Sequence, residues 1–413
     1  MPKPNPTGAL DGVVVIDLTQ MLSGPFAAML LADQGARVIK IEPPGGDQTR
    51  KFGPFRAGQL MMADGGYGGY FASTNRNKES LVVDLKSPDG RAVIERLAAQ
   101  ADILIENFRS GVMERLGLGY ESLAKINPRL VYGAIRGFGD ARTGKSPYGE
   151  WPAYDVVAQA MGGIMGITST VTGGQPTKIG PGVGDIVPAM QCAFGLVAAL
   201  YRARGTGHGQ FVDVAMVDGV LALCERIVFQ HSIDEVVPGP EGNSHPLLCP
   251  YGLFQAKDGW VAIGCPHDEF WKLLARSIGL GEMADDPRYA VISERLKRRA
   301  DVEGAVTAWT SARTKAEISA VLGGKVPFGP VQQVDEIFAD PHTAARGMLA
   351  TVELPGCPDH PLVIAGTAVK MTATPGGVRT RAPLTGEHTA RVLGDFGFTE
   401  GEIAQLRAAK AVG

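Results

Sequence analysis

The sequence lacks the features that mark several large classes of protein. Its 40 lysines and arginines are balanced by 43 aspartates and glutamates, so the formal net charge of −3 provides no basic surface for nucleic acid. None of its five cysteines forms a Cys-x-x-Cys pair, which favours a reducing compartment over a disulfide-bonded secreted protein. The seven histidines have no HExxH or similar spacing, and we therefore expect no metal site.

Long apolar segments are also missing. The N-terminal segment, MPKPNPTGALDG, has no apolar stretch after its lysine and does not resemble a secretory signal. The most apolar stretch, residues 186–200, contains Gln191 and is shorter than the roughly 20 residues that span a bilayer. We expect it to form a buried helix, and we expect a cytoplasmic protein with no membrane partner.

A glycine-rich dinucleotide turn is absent as well. A nicotinamide-binding fold needs Gly-x-Gly-x-x-Gly after its first strand, whereas residues 20–25 read Gln-Met-Leu-Ser-Gly-Pro. Glu42 does end the second predicted strand, where an acid would bind a ribose, but without the glycines we expect no NAD. The turn can still present backbone N–H groups at a helix start to another phosphate-bearing ligand.

The first half of the chain alternates strand-like and helical patterns. Two of the helical stretches begin with proline in the first turn, at Gly24-Pro25 and Ser87-Pro88. The alternation predicts an α/β fold with a Rossmann-like parallel sheet and helices on both faces. The predicted strands are residues 13–18, 36–42, 80–85, 101–106 and 130–136.

The middle of the chain has a different pattern. Residues 251–264 read as two strands around the turn Lys257-Asp258-Gly259, and helical patterns follow at 268–278 and 301–322. Further strand-like runs occupy 362–365 and 369–372. We predict a large α/β domain over residues 1–223, completed by 330–413, and a small α+β domain over 224–329.

Two aspartates stand at the start of predicted helices. Asp185 ends the run Gly-Pro-Gly-Val-Gly-Asp, and Asp155 follows Tyr154. Each is open to two interpretations. An aspartate in this place is very often an N-cap. Alternatively, the glycines before Asp185 let a substrate lie against the backbone, and an ionised carboxylate at a helix N-terminus can attack an activated acyl carbon.

Several further motifs together resemble family III coenzyme A transferases, the CaiB/BaiF and formyl-CoA transferase-like family. Each match is weak alone, but their order and spacing across residues 11–389 are specific. The matching segments are Asp11-Gly12, Gly24-Pro25, residues 35–42, residues 75–78, Asp84-Leu85-Lys86, Glu106-Asn107-Phe108, Arg115-Leu116-Gly117, Gly184-Asp185, residues 205–210 and residues 381–389.

The resemblance implies a reaction and a set of residues. Asp185 would attack a donor thioester and carry coenzyme A covalently to a small carboxylic acid acceptor, with Asp155 and Tyr154 as further catalytic residues. The resemblance also implies a ring-shaped subunit in an interlocked homodimer. Coenzyme A would contact Leu22, Ser23, Gly24, Val83, Lys86, Asn107 and Arg115. Read without the resemblance, Lys86 and Arg115 are surface charges and Asn107 is a strand-end hydrogen bonder.

Two other functions remain as alternatives. An α-methylacyl-CoA racemase needs a histidine where this chain has Tyr154, and tyrosine, with a pKa near ~10, is a poor base at neutral pH. A non-catalytic acyl-CoA binder would be expected to lose Asp185. Among transferases, Leu22 replaces a glutamine of oxalate-specific relatives and cannot donate a hydrogen bond, so we expect no oxalate specificity. Succinyl-CoA is the expected donor, and the acceptor acid stays open.

Overall fold

A computed structural model gives the fold of the chain and describes residues 8–413. The prediction about the N-terminal segment falls mainly on residues 1–7, which lie outside this range. The chain forms two compact units. The first comprises residues 8–164 together with Ile179–Glu225 and Pro341–Gly413. The second comprises Met165–Lys178 and Arg226–Asp340.

A six-stranded sheet forms the centre of the first unit. All its strands are parallel, and their order is β3-β2-β1-β4-β5-β6. The expected α/β fold is therefore confirmed, with one strand more than the sequence pattern indicated. The strands are β1 (Val14–Asp17), β2 (Arg37–Glu42), β3 (Lys78–Val82), β4 (Ile103–Glu106), β5 (Val131–Arg136) and β6 (Phe211–Ala215).

Helices connect the strands and cover the sheet. The predicted helix after Ser87 begins with Pro88, because the first turn of a helix has no use for the missing N–H. Its Ile94 and Leu97 are fully buried with Leu104 in the main apolar core. The helices are α1 (Ser23–Asp33), α2 (Gly69–Asn75), α3 (Pro88–Ala98), α4 (Val112–Arg115), α5 (Tyr120–Ile126), α6 (Asp155–Met161), α7 (Val183–Thr206) and α8 (Met216–Leu223).

Helix α7 differs from its prediction in length and burial. Its 24 residues are long and apolar enough to cross a membrane by length and composition, so excluding a span on length was wrong. One face packs on β5, where Leu196 leaves no room for a side chain at Gly133. The opposite face is exposed, with Phe194 at 78% and Tyr201 at 85%. The prediction of a buried helix is therefore wrong for that face.

The second unit has a three-stranded antiparallel sheet and short helices. The fully buried Trp271 is the largest side chain of its core. A single helix was predicted over 301–322, but Thr314 and Glu317 form a capping box that starts a separate helix. The elements are α9 (Glu225–Asp234), β7 (Tyr251–Ala256), β8 (Gly259–Gly264), α10 (Asp268–Ser277), α11 (Gly281–Asp285), α12 (Pro287–Ala290), α13 (Ile292–Lys297), α14 (Arg299–Thr310), α15 (Lys315–Leu322), β9 (Phe328–Pro330) and α16 (Val334–Ala339).

The C-terminal residues return to the first unit. The His388 N–H donates to the Ser80 carbonyl of β3, and Val392 is buried in the main core. The strand predicted at 369–372 does not form, because Val369 is 53% exposed and this stretch has no ladder partner. The elements here are α17 (Pro341–Ala345), β10 (Leu349–Val352), β11 (Leu362–Ala365), α18 (Thr389–Asp395) and α19 (Glu400–Ala408).

Candidate active site

The strand order of the sheet reverses between β1 and β4, and ligands of open α/β sheets bind at such a point. The turn after β1 meets Asn107, which follows β4. The Asn107 Oδ1 accepts from the Gln20 N–H at 2.8 Å, and its Nδ2 donates to the Gln20 carbonyl at 2.7 Å. Asn107 is therefore a strand-end hydrogen bonder, as one interpretation of the sequence had it, and it fixes the turn.

Buried charges hold the two ends of the same turn. The Lys78 ammonium donates at 2.9 Å both to Asp17 at the end of β1 and to the Pro25 carbonyl in α1. Burial lowers the pKa of Lys78 to about 8, although Asp17 opposes the shift. Gly24 needs its lack of a side chain, since a Cβ there would lie 2.3 Å from Thr19 Cβ.

Asp185 is the third residue of α7 and does not cap it. Gly182 is the N-cap, and the Asp185 N–H already donates to the Gly182 carbonyl at 3.1 Å. The N-cap interpretation of Asp185 is therefore wrong. A helix N-terminus favours an ionised carboxylate, but burial and then the charge of Asp155 raise the pKa of Asp185 to about 7.

Asp155 stabilises the start of a helix other than its own. It is the first residue of α6, after the N-cap Tyr154, so the prediction that it caps α6 is wrong as well. Its Oδ1 instead accepts at 2.9 Å from the Gly184 N–H, one of the first N–H groups of α7. A Cβ at Gly184 would lie 2.6 Å from the Asp155 carbonyl oxygen, so this approach requires glycine.

A cavity of about 240 Å³ opens beside Asp185. It brings together the predicted residues Ser23, Asn107, Tyr154 and Asp185. Leu22 is not among its lining residues, but the Leu22 side chain lies beside Gly182, the N-cap of α7, with its Cδ2 3.1 Å from where a Cβ on Gly182 would be. The other lining residues are Gln20, Met21, Phe108, Arg109, Ser110, Ile135, Arg136, Gly137, Gly149, Glu150, Trp151, Pro152, Ala153 and Met216.

Five of the seven predicted coenzyme A contacts, Leu22 among them, do not line this cavity. Lys86 and Arg115 are exposed, and Gly24 packs on Thr19. The Val83 side chain is fully buried in the main core. Any contact of Val83 with a ligand would therefore have to use its backbone.

Several site residues had no signal in the sequence. Met21 lines the cavity with a φ of 66°, a left-handed conformation that is uncommon outside glycine. Trp151 packs against Tyr148 with ring centroids 4.8 Å apart. Burial, and then the charges of Asp185, Asp47 and Asp155, raise the pKa of Tyr70 in α2 to about 12. These positions depend on long-range packing rather than on a local motif.

Comparison with known proteins identifies the family. The model of CoA-transferase family III matches residues 10–389. The chain is a family III CoA-transferase. The transferase is similar to the succinyl-CoA:mesaconate CoA-transferase of Haloarcula hispanica, with 44% identity over 95% of this chain and 98% of the relative. It is also similar to the succinate–glutarate CoA-transferase of Agrobacterium fabrum, with 37% identity over 95% of this chain and 97% of the relative.

Solved structures agree with this assignment. A CaiB/BaiF family protein from Brucella suis matches the transferase with a TM-score of 0.81 and 33% identity. The match covers 94% of this chain and 99% of that protein. The family predicted from the motifs is therefore confirmed, and with it the class of reaction, the transfer of coenzyme A from an acyl-CoA donor to a carboxylic acid.

Proposed function

We propose that the transferase moves coenzyme A between two carboxylic acids through covalent intermediates on Asp185. The observation that carries the proposal is the place of this carboxylate, in the first turn of α7 and on the wall of the cavity. Its surroundings hold the pKa of Asp185 at about 7, so a substantial fraction is ionised at neutral pH. A carboxylate of raised basicity is a better nucleophile than an exposed aspartate.

The proposed reaction proceeds in two exchanges. A carboxylate oxygen of Asp185 attacks the thioester carbonyl, the carbon–sulfur bond breaks, and a mixed anhydride and the coenzyme A thiolate form. The thiolate attacks the Asp185 carbonyl, which releases the donor acid and leaves an aspartyl thioester. The acceptor carboxylate repeats the sequence in reverse, and the acceptor leaves as its thioester with Asp185 regenerated.

Asp155 has two roles in this proposal. Its negative charge contributes to the raised pKa of Asp185, and its bond to the Gly184 N–H fixes the backbone next to the nucleophile. Tyr154 lines the cavity beside Asp155, where its hydroxyl is available to the acyl group.

Coenzyme A is proposed to enter along the turn after β1. Leu22, Ser23, Gly24 and Asn107 lie near the thioester in this arrangement. The exposed Lys86 and Arg115, and the backbone of Val83, are proposed to contact the rest of the molecule. Cationic side chains suit its phosphates.

The substrates are proposed to be small dicarboxylic acids, with succinyl-CoA as donor. The activities for which the Haloarcula and Agrobacterium relatives are named support this class, since they pair succinyl-CoA or succinate with mesaconate or glutarate. Leu22 offers no hydrogen bond to a substrate. Oxalate is therefore not proposed as an acceptor.

We further propose a cytoplasmic, interlocked homodimer of ring-shaped subunits, with the large and small domains divided as the sequence pattern indicated. The exposed apolar stripe of α7, formed by Met190, Phe194, Val197 and Tyr201, supports a partner surface. Its spacing of three and four residues places these side chains on one helix face. An apolar stripe of this kind is typical of a face covered by another protein chain.

Covalent trapping tests the mechanism. Purified transferase is incubated with succinyl-CoA alone and treated with hydroxylamine or borohydride, and the modified peptide is mapped by mass spectrometry. We expect an adduct on Asp185. An enzyme that forms no adduct with any acyl-CoA tested, but exchanges an α-proton in deuterated water, would be an isomerase instead.

A further inference from the structure

A buried glutamine is hydrogen-bonded to Asp155 and has no part in the reaction described above. Gln159 of α6 is fully buried, one turn after Asp155. Its Nε2 donates to both carboxylate oxygens of Asp155, at 2.9 and 3.0 Å. Its Oε1 accepts from the Ile179 N–H at 3.1 Å. One side chain therefore joins Asp155 to the loop that leads into α7.

The hydrogen bonds form a closed path to the nucleophile. Gln159 holds Asp155, Asp155 holds the Gly184 N–H, and Gly184 is bonded directly to Asp185. On the other side, Gln159 holds Ile179 at the beginning of the glycine-rich loop. The Gln159 amide thus holds both ends of residues 179–184, Ile179 directly and Gly184 through Asp155. A hydrogen bond between a neutral amide and a carboxylate is among the stronger ones in proteins.

We propose that Gln159 is a positioning residue for coenzyme A transfer, which sets the place of Asp185 by clamping Asp155 and the loop 179–184. This inference rests on the proposed role of Asp185. Gln159 touches no substrate, because its side chain is fully buried. Its effect on the reaction therefore passes through Asp155 and the loop.

The amide is the chemical group that the position requires. Toward Asp155 the side chain must donate, and toward Ile179 it must accept. A protonated glutamic acid can do both, whereas an ionised glutamate cannot donate and adds a like charge. Two helices, α7 and α8, pack against α6, and each has one acidic residue in its first turn, Asp185 on α7 and the exposed Asp218 on α8. Lys178 directly precedes Ile179.

Two substitutions separate positioning from plain structural support. Gln159→Met keeps the volume and removes the hydrogen bonds to Asp155, Pro181 and Ile179, and we expect kcat to fall about 10- to 100-fold with little change in KM for the CoA ester. Gln159→Glu is expected to work well only while the new acid is protonated. Its kcat relative to wild type should be highest near about pH 6 and decline toward about pH 9, because ionisation removes the donor.

A matched control measures the effect of losing buried hydrogen bonds in general. Asn127 donates to the carbonyls of Ala98 and Ala101. It precedes β5 and so lies at the N-terminal ends of the strands, whereas the site lies at their C-terminal ends. Asn127→Leu should lower the melting temperature and leave kcat and its pH dependence unchanged.

The outcomes distinguish this inference from the proposed mechanism. If wild type forms the Asp185 adduct, and Gln159→Met keeps its kcat or the Gln159→Glu ratio does not vary with pH, the positioning role is wrong and the mechanism stands. If wild type forms no adduct on Asp185, the mechanism is wrong and the inference is overturned with it. Melting temperatures of both variants show whether any loss of kcat comes from unfolding.

Discussion

The carboxylate of Asp155 accepts a hydrogen bond from the backbone N–H of Gly184 at 2.9 Å, one residue before Asp185. This contact joins two helix N-termini, those of α6 and α7, at the cavity. It also places two acidic side chains together, which an isolated N-cap would not do.

Asp185→Asn removes the proposed nucleophile with little change in shape. We expect transfer from succinyl-CoA to fall by about a thousandfold or more, because the covalent route is lost, while the CoA ester still binds. Steady-state kinetics and calorimetric binding measure the two effects. Asp89→Asn is the matched control, since Asp89 is an exposed aspartate in the first turn of α3. Activity of Asp185→Asn within tenfold of wild type would contradict the proposal that Asp185 is the nucleophile.

The pH dependence of the reaction reports the ionisation of Asp185. With the pKa of Asp185 raised to about 7, we expect kcat/KM to rise as the pH increases through about 7, because only the ionised carboxylate attacks. A profile already flat above about pH 5 would mean that the attacking group has an ordinary aspartate pKa.

The ionisation of Asp185 also lowers the free energy of unfolding. A folded-state pKa of about 7 against an ordinary 3.8 means that the folded protein binds more protons than the unfolded chain between these values. The contribution of this group to stability therefore falls as the pH rises from about 4 to 7. Asp185→Asn should be more stable than wild type at pH 8 by about 1–3 kcal/mol, measured by denaturant unfolding. If the difference in stability between wild type and Asp185→Asn were the same at about pH 4 and at about pH 8, the raised pKa of Asp185 would be contradicted.

Gly184 must remain without a side chain. In Gly184→Ala the new Cβ would meet the Asp155 carbonyl oxygen at 2.6 Å, so the start of α7 has to move and activity should fall, with a stability loss of about 1–3 kcal/mol. Gly205→Ala is the control in the same helix, because nothing lies within 4 Å of a Cβ there. Gly205→Ala should leave stability unchanged or raise it. If Gly184→Ala kept wild-type activity and stability, the backbone near Asp155 would be able to move away from the new side chain.

The exposed stripe of α7 makes a prediction about assembly. Phe194→Glu places a charge in the stripe, and we expect the dimer to weaken or dissociate, as measured by size exclusion with light scattering. Ile126→Glu introduces the same charge at another exposed apolar position and should leave the mass unchanged. A monomeric wild type would refute the interlocked homodimer.

Local sequence patterns were sufficient for the sheet but not for the helix starts. The apolar runs at β1, β2, β4 and β5 are buried on both faces, so their composition alone identifies them. The role of Asp155 was missed because its partner, Gly184, is 29 residues away in the chain. A local rule offers only the N-cap of the same helix to an aspartate in that position.

The site residues follow the same division. Asp185 could be proposed from the sequence because a glycine-rich turn before a helix is a local signal, and the family motifs suggested further candidates. Gln159 carries no such signal, since a glutamine in a short helix has no predicted role until the packing brings it to a carboxylate. The sequence of α7 is apolar on both faces, so it does not show that one face packs on β5 while Phe194 and Tyr201 on the other are exposed.

The locked turn after β1 limits how this scaffold can change its preference among acids. Gly24 cannot gain a side chain because Thr19 occupies the space, and Asn107 holds the backbone in between. Met21 and Leu22 are two positions of the turn whose side chains take part in neither contact, although the left-handed backbone of Met21 narrows the choice of residue there. Directed evolution toward new acceptor acids should therefore begin with a small library at these two positions, and natural divergence in substrate choice should be concentrated there.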